Sequence, residues 1–344
     1  MYITKCPYCQ SSDVKKNGIR RGAQFYKCKC CKKQFFNSTP KPTPTIILQE
    51  YLEGKQTIVE IAQYHHVSES TIKRLLRKID VRWEQPSLEG RSGFVHLDAT
   101  YWGRNWGIVL AIDEATGDVL YLAFIKHETI QAFVDAIAAI VTAGYAIKGI
   151  IIDGKIELFT AFADYPIQMC QFHMIQIVKR YLTKNPKMHA SKELMLLCRY
   201  MIKSREANFV RDYEAWKERW YDFLNKRTTH KDGKTYYLHQ RVRTLVHSID
   251  FYLPYLFTFQ KPECIGMPNT NNKIEGTFTD LKKNLNNHSG LTIDHRRQFI
   301  IAYFQKRQKL PTKKPLFGDC VVCGLGNRVD NLKRRLKSSL RFDL

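Results

Sequence analysis

Apolar residues follow two different repeats along the chain, and the repeat changes near residue 93. Between residues 56 and 79, apolar positions recur three or four residues apart, as on one face of a helix. From Gly93 onward, short runs of adjacent aliphatic and β-branched residues appear, as in "GFVHLDATYW", "NWGIVLAIDEATGDVLYLAFIK" and "IKGIIID". Such runs predict buried strands. The pattern therefore predicts a short helical segment followed by a larger α/β domain.

In the larger domain, three adjacent strands come first, and helices and strands alternate after them. The segment "HETIQAFVDAIAAIVTAGY" places its apolar residues on one helical face, and Gly144 suits the C-terminal cap of that helix. This order predicts a mixed sheet covered by helices. We assign residues 92–183 to the first part of this core and residues 269–310 to its last part.

Residues 184–268 have a different character and are predicted to be a helical insertion in the core. Aromatic residues recur there at steps of four and three, which is the spacing of a helical core stripe. Stacking on flipped bases is the alternative use for such rings, but the regular spacing favours packing. The stripe consists of Phe209, Tyr213, Trp216, Trp220 and Phe223.

Charge indicates the kind of partner. The 344 residues include 55 Lys and Arg against 32 Asp and Glu, a net charge of +23. Such an excess points first to nucleic acid. A membrane is disfavoured, because no apolar run reaches the ~18–20 residues that span a bilayer. A cysteine stands where a signal peptide would need its apolar stretch, so we expect a cytoplasmic protein whose ten cysteines are metal ligands or buried thiols.

The first 37 residues carry the spacing of a zinc ribbon. Cys6 and Cys9 form one CxxC pair, and Cys28 and Cys31 form a second pair after eighteen intervening residues. Two such pairs at this separation are typical of four-cysteine zinc sites. A segment this short has too little core to fold alone, so one structural Zn²⁺ would supply much of its folding free energy. Cys30, inside the second pair, is not assigned as a zinc ligand.

A proline-rich linker over residues 38–46 and a helix-turn-helix over residues 47–85 are predicted next. Ser68 is a suitable N-cap for the second helix of the pair, and the opposite face of that helix is polar and basic. An ordinary helical hairpin with a charged outer face is the alternative, but the net charge favours DNA binding. The residues expected to contact DNA are Ser70, Lys73, Arg74 and Arg77.

Two aspartates interrupt or end apolar strands, where an unpaired carboxylate is costly. Asp98 lies in the first strand of the core, and Asp153 ends the fourth. If those strands are neighbours, both carboxylates meet near one edge of the sheet. Paired carboxylates bind Mg²⁺ or Mn²⁺, and two such ions can activate a hydroxyl and stabilise a leaving oxygen on phosphorus. An aspartate at a strand end can also cap a turn, which is the better interpretation of Asp113.

The third acid expected at this site is Glu275, in the first turn of a helix that begins within "MPNTNNKIEGTFTDLKKNL". Asn272 and Lys273 beside it, like Asn271, suit contact with a phosphate. Asp280 competes for the same role but falls at the middle of the helix, where a surface position is expected.

These motifs together resemble those of a known family. Asp98 in "HLDATYW", Asp153 in "IIIDG", the "CQFH" of residues 170–173 and Glu275 in "TNNKIEG" resemble the DDE transposases of bacterial insertion sequences in the Mutator-like group. The cysteine pairs and the helix-turn-helix resemble the zinc-binding variant of that group. The resemblance implies a ribonuclease H-like fold with an all-α insertion, and two Mg²⁺ or Mn²⁺ ions held by Asp98, Asp153 and Glu275.

The resemblance also implies an activity and partners. Such enzymes bind the terminal inverted repeats of their element, cleave its ends and join them to target DNA, so we expect double-stranded DNA as partner and a homodimer or higher oligomer on it. The expected location is the bacterial cytoplasm, on the nucleoid. Two other interpretations stay open: a catalytically inactive DNA-binding regulator derived from a transposase, and a ribonuclease H-like structure-specific nuclease.

Two further cysteine motifs remain, one in the core and one in the C-terminal tail. Cys170 and His173 fit the C/D-x-x-H signature of the group; they either position DNA, brace the active site through hydrogen bonds, or are a buried thiol and a satisfied histidine. In the basic tail of residues 311–344, Cys320 and Cys323 form a lone CxxC to which we assign no metal.

Overall fold

The structure is a computed structural model that describes residues 5–20, 23–36, 42–53, 56–78, 81–229, 233–288 and 291–308. The chain divides into two compact units. The first comprises residues 1–80 and 287–295, and the second comprises residues 81–286 and 296–344. Among the described residues, no helix is long and apolar enough to cross a membrane.

The first unit begins with a small antiparallel sheet of three strands in the order β1-β2-β3. Its core contains Phe35 together with Cys6 and Cys28. The pair Asn17-Gly18 does not form a hairpin turn, as its sequence suggests, but lies inside the first strand where the pairing shifts register. Gly18 has φ +84° there, which only glycine adopts readily. The strands are β1 (Val14–Arg20), β2 (Ala23–Cys28) and β3 (Gln34–Phe36).

Three helices follow the sheet in this unit: α1 (Pro44–Glu53), α2 (Ile58–Tyr64) and α3 (Glu69–Arg77). The first begins inside the predicted linker, because proline is tolerated in the first turn of a helix, where its missing N–H costs nothing. The other two are the predicted helix pair. Thr57 and Glu60 form a capping box at α2, and the Ser68 hydroxyl accepts a hydrogen bond from the Thr71 N–H at α3, so local sequence determines both starting points.

The second unit is built on a five-stranded sheet in the order β6-β5-β4-β7-β8. The first three strands pair antiparallel, whereas β4–β7 and β7–β8 are parallel. The mixed sheet predicted from the sequence is thus confirmed, and the two strands that carry the aspartates are direct neighbours. The strands are β4 (Ser92–Tyr101), β5 (Gly107–Asp113), β6 (Val119–Ile125), β7 (Ala146–Ile152) and β8 (Ile167–Met169).

The two faces of this sheet have different partners. Val95 and Leu97 point to the main core, whereas Phe94 and Ile151 pack with Cys264 and Met267 on the other face. Because side chains alternate along a strand, His96 and Asp98 share the face of Phe94. The helices that follow along the chain are α4 (Ile130–Thr142), α5 (Ile156–Ala161), α6 (Gln171–Leu182), α7 (His189–Tyr200), α8 (Glu206–Arg219), α9 (Tyr221–Asn225), α10 (Gln240–Leu256), α11 (Asn272–Asn286) and α12 (Ile293–Arg307).

The insertion between the core segments is mainly helical, and its aromatic stripe is packed as predicted. Phe209, Tyr213 and Trp216 are almost fully buried, and Trp220 and Phe223 pack partly buried against the same core. The insertion is not all-α, however. It contains a hairpin of two short strands, β9 (Arg227–Thr229) and β10 (Thr235–Tyr237), rich in the β-branched and aromatic residues that favour strands.

Candidate functional site

Strand pairing brings Asp98 and Asp153 to the same level of the sheet. The parallel register of β4 and β7 pairs His96 with Ile151, and each aspartate follows its paired residue by two positions. Asp153 comes directly after the last residue of β7. The two carboxylates are close enough for the charge of Asp153 to raise the pKa of Asp98.

Burial and neighbouring like charges dominate the electrostatics at Asp98. Burial raises the pKa of its carboxyl most, and repulsion by Asp153 follows, with smaller contributions from Glu275 and Glu128. One hydrogen bond, from the Ala99 N–H to Asp98 Oδ1 at 2.7 Å, favours the ionised form but does not outweigh them. A cation placed among these acids would relieve the repulsion.

Glu275 approaches the aspartates from the first turn of α11. Its Oε1 lies 3.5 Å from Nδ1 of His173 on α6. Both atoms are buried, and neither has a hydrogen-bond partner within the described part of the chain. Buried polar atoms of this kind are costly unless something binds them. The structure thus brings Asp98, Asp153, Glu275 and His173 into one region.

A buried polar chain holds the start of α11 against the sheet. Asn271, fully buried, contacts His96 through Oδ1 and Nδ1 at 2.6 Å, and its N–H donates to Cys170 Sγ at 3.2 Å. The other ring nitrogen of His96 contacts the Glu114 carboxylate, which also pairs with the Lys273 ammonium at 3.3 Å. Strand β4, the turn after β5 and helices α6 and α11 are therefore tied together beside the acids.

Charge balance within this chain favours an ionised Glu114. Burial raises the pKa of its carboxyl, but the hydrogen bond and charge of His96, together with the charge of Lys273, outweigh burial and lower the pKa. Lys273, expected on phosphate, thus has an acidic neighbour, while Asn272 is exposed; their contact with DNA stays a prediction. Sequence reasoning missed His96 and Glu114. A polar His96 in an apolar strand, two residues before Asp98, was the available signal.

Two other aspartates that the sequence offered, Asp113 and Asp280, form structural hydrogen bonds. Asp113 accepts a hydrogen bond from the Thr116 N–H at 2.9 Å, which is the predicted turn cap, and another from the Tyr145 hydroxyl at 2.5 Å. Asp280 is not simply a surface residue. It is half-buried and accepts a hydrogen bond from the Tyr303 hydroxyl at 2.6 Å, because the next helix, α12, packs over it.

Cys170 stands at the N-cap of α6 and is fully buried. Burial raises the pKa of its thiol to about 11, although backbone N–H groups, that of Asn271 first, oppose the shift. Its sulfur belongs to a cluster of three potential metal ligands. Sγ of Cys170, Nδ1 or Nε2 of His173 and a carboxylate oxygen of Glu275 all lie within 4.8 Å of one another.

A cavity of about 490 Å³ opens beside Asp153 and His173. Acidic and basic groups both line it, including Glu128, Lys155 and Arg180. Lys155 pairs with the Glu128 carboxylate at 3.2 Å. An open cavity with carboxylates on one side and two cationic groups nearby suits a phosphate bridged by metal.

The four ribbon cysteines form a second cluster. The Sγ atoms of Cys6, Cys9, Cys28 and Cys31 all lie within 4.8 Å of one another, with 3.7 Å between Cys6 and Cys31 and 3.6 Å between Cys9 and Cys28. Sulfurs about 2.3 Å from a tetrahedral zinc ion are roughly 3.8 Å apart, so the spacing fits. This group can hold one zinc ion, and Cys30 is exposed outside it.

Helix α3 presents the residues expected to contact DNA. Ile72 is buried on its inner side, whereas Ser70, Lys73, Arg74 and Arg77 are exposed. Lys73 also pairs with Glu69 at 3.4 Å, one turn earlier. The tail with Cys320 and Cys323 lies outside the described residues.

Comparison with solved structures finds distant neighbours of this chain, among them a transposase. The structure resembles the Drosophila P element transposase strand transfer complex with a TM-score of 0.33 and 11% sequence identity, over 92% of this chain and 95% of that one. No family model matches the chain, and no curated protein matches it. Because a TM-score this low does not establish a common fold, the function is argued from the site itself.

Proposed function

We propose that this chain is a DDE-type DNA transposase of the kind its motifs resemble, with a ribonuclease H-like core. It would bind the terminal inverted repeats of an insertion sequence and catalyse metal-dependent strand cleavage and strand transfer. The observation that carries the proposal is the parallel register of β4 and β7, which brings Asp98 and Asp153 to the same level of adjacent strands, with Glu275 near enough for its charge to act on Asp98. The strand order, with a parallel neighbour beside an antiparallel meander, supports the proposed core.

Chemistry at the site follows from the ligands. Asp98, Asp153 and Glu275 would hold two Mg²⁺ or Mn²⁺ ions, which supply an activated hydroxyl and charge stabilisation for the leaving oxygen. The protein contributes orientation: the contact of Asn271 with His96 fixes the helix that carries Glu275. The cationic groups of Lys155 and Arg180 at the cavity suit the DNA backbone on either side of the reacting phosphate.

Recognition of the DNA sequence is assigned to the first unit. The exposed residues of α3 fit a groove and its phosphates, and the net charge of +23 supports binding to DNA as a whole. A homodimer or higher oligomer is part of the proposal, because an element has two ends that must be processed together. We place the protein on the nucleoid in the bacterial cytoplasm.

The test is magnesium-dependent nicking of a duplex that carries the element's end, taken from the inverted repeats that should flank the gene. Asp153→Asn should lower the nicking rate at least ~100-fold, because several kcal/mol of transition-state stabilisation depend on the bound metal. Asp135→Asn is the matched control: this aspartate is exposed on α4 and accepts a hydrogen bond from Gln131 one turn away. The control should retain the wild-type rate.

Each other outcome selects a different interpretation. Equal rates in wild type and Asp153→Asn would refute the proposed site. Specific DNA binding without nicking, in wild type as in the variant, would favour an inactive regulator. Nicking without joining of the 3′-hydroxyl to target DNA would favour a structure-specific nuclease.

A further inference from the structure

Glu275 faces two kinds of ligand at once. The carboxylate of Asp98, near enough to respond to the charges of Glu275 and Asp153, is a hard oxygen ligand, as is that of Asp153. The sulfur of Cys170 and the imidazole of His173 lie within 4.8 Å of a Glu275 carboxylate oxygen. Magnesium prefers oxygen ligands, whereas thiolate and imidazole favour zinc-like ions. The oxygen ligands and the sulfur and nitrogen ligands near Glu275 therefore suit different metals.

We propose that Cys170, His173 and Glu275 form a second metal site that binds Zn²⁺ or a similar thiophilic divalent ion. The ion takes one sulfur, one nitrogen and one oxygen ligand from the chain and has a fourth position open to solvent. This is the ligand number and composition of an open zinc site, in which three protein ligands leave one position for water. The site is separate from the four-cysteine cluster of the ribbon.

Two buried ligand atoms without hydrogen-bond partners among the described residues support this site first. Nδ1 of His173 and Oε1 of Glu275 are buried, 3.5 Å apart, and have no hydrogen-bond partner among the described residues. Ligand atoms around a tetrahedral zinc ion are about 3.3–3.8 Å apart. The histidine and glutamate atoms already lie at that separation, and an ion would satisfy both.

Backbone geometry around the sulfur is the second argument. Cys170 and His173 are separated by one turn at the start of α6, so their side chains leave the helix on the same side. The Asn271 N–H donates to Cys170 Sγ at 3.2 Å, and such a donor orients and stabilises a metal-bound thiolate. Binding of the ion releases the thiol proton to solvent.

Access to the site comes from the cavity beside Asp153. His173 lines this space of about 490 Å³, whereas Cys170 is fully buried behind it. An ion would enter past the imidazole, and its open fourth position would face the cavity. The arrangement differs from a closed structural site, in which four protein ligands surround the metal.

The consequence for activity rests on the proposed function. A thiophilic ion bound by Oε1 of Glu275 would compete with the oxygen-ligand site of Asp98 and Asp153 for the same carboxylate. Occupancy of the second site would withdraw Glu275 and inhibit DNA cleavage. Zinc would thus act as an inhibitor at concentrations far below those of Mg²⁺.

Cobalt spectroscopy on the full chain tests the site without relying on activity. Protein with one zinc equivalent in the ribbon is titrated with Co²⁺, which gives a thiolate-to-cobalt charge-transfer absorption only when sulfur binds the metal. We expect one Co²⁺ per chain with this band, loss of the band in Cys170→Ser, and at least ~10-fold weaker binding in His173→Ala and Glu275→Gln. Cys264→Ser, which changes another fully buried cysteine, is the matched control and should keep the band.

Three results would overturn the site: no second metal equivalent in wild type, a band that survives in Cys170→Ser, or binding that Glu275→Gln leaves unchanged. Inhibition is then measured as the ratio of nicking rates with and without added Zn²⁺, each variant compared with its own zinc-free rate. A bound Co²⁺ with no nicking under any condition would contradict the proposed function and leave the metal site standing. Nicking that zinc inhibits equally in wild type and Cys170→Ser would contradict the inhibitory role.

Discussion

Two polar residues of β4, on the face that also carries Phe94, have very different surroundings, although they lie only two positions apart. His96 is buried and has a partner at each ring nitrogen, Asn271 on one side and Glu114 on the other. Asp98 has one hydrogen bond from its neighbouring backbone and otherwise faces like charges. His96 therefore stabilises the fold. The buried carboxylate of Asp98 destabilises it, and a bound cation would remove that destabilisation.

Removing the charge of Asp98 should stabilise the metal-free protein at neutral pH. The pKa of Asp98 is raised in the folded state above its unfolded value of about 4. Between those two values the folded state binds more protons than the unfolded state, so stability falls as pH rises through that window. Asp98→Asn abolishes this loss, and we expect its second unit to melt about 2–4 °C higher than wild type at pH 7, the shift that ~1 kcal/mol produces in a domain of this size.

Thermal unfolding without added divalent metal, at pH 7 and at pH 4, makes the comparison. The difference between Asp98→Asn and wild type should shrink at pH 4, where the aspartate is protonated in the folded state and about half protonated in the unfolded state. Added Mg²⁺ should raise the melting temperature of wild type more than that of the variant. A variant less stable than wild type at pH 7 would contradict the electrostatic argument.

Asn271 should matter for metal binding beyond its contribution to stability. Asn271→Ala leaves the buried His96 without one partner, which costs about 1–3 kcal/mol, and loosens the turn that places Glu275. Asn284→Ala is the control, since Asn284 is also buried but donates within its own helix, to the Asp280 carbonyl. We expect Asn271→Ala to raise the Mg²⁺ concentration needed for half-maximal nicking at least ~10-fold, whereas Asn284→Ala should leave it unchanged. Equal effects of the two substitutions would assign Asn271 a structural role alone.

In the first unit, the residues next to each helix start determine where α2 and α3 begin. The capping box of Thr57 and Glu60 starts α2, and Ser68 starts α3. Because a cap depends on residues within one turn, the sequence predicted both elements. Helix α1 was missed since its starting proline is as common in extended linkers as in first turns. The hairpin of β9 and β10 was missed because its strands are only three residues each, too short for a periodic pattern.

Helix α3 should contribute to DNA affinity through phosphate contacts. Replacing Arg77, exposed in its last turn, by alanine should reduce the slope of log affinity against log salt concentration by about one, as one phosphate contact is lost. Lys148→Ala, which removes an exposed cation from the start of β7, is the control and should leave the slope unchanged. Fluorescence anisotropy over a salt series measures both. An unchanged slope in Arg77→Ala and in Arg74→Ala would contradict the proposed interface.

At the scale of the whole molecule, the two units depend on different sources of stability. The second has a large apolar core that includes both the sheet and the insertion. The ribbon of the first has a small cluster around Phe35, Cys6 and Cys28. A core of that size does not offset the conformational entropy lost on folding, so the ribbon should need its metal.

Loss of zinc should therefore unfold the ribbon and leave the second unit folded. Cys28→Ser removes one of the four clustered thiols, and we expect it to bind no zinc at the ribbon and to lose amide protection in residues 5–36. Cys30→Ser changes the exposed cysteine two positions away and should keep both. Native mass spectrometry and hydrogen exchange provide the measurements. Normal zinc content in Cys28→Ser would show that the metal is held differently.

The sequence by itself determined the features that depend on near neighbours. These are the cysteine pairs, the helix caps, the strand runs and the aromatic stripe, each of which is encoded within a few turns or strands of chain. It also named Asp98, Asp153 and Glu275 as acids in unusual places. The sequence did not predict which residues surround these acids. His96 and Asn271 are 175 residues apart, and Cys170 meets Asn271 across 101 residues; no local pattern encodes such contacts, because they form only when the strands pair and α11 returns to the sheet. Tertiary structure alone therefore decided which polar groups have partners and which stay free to bind metal.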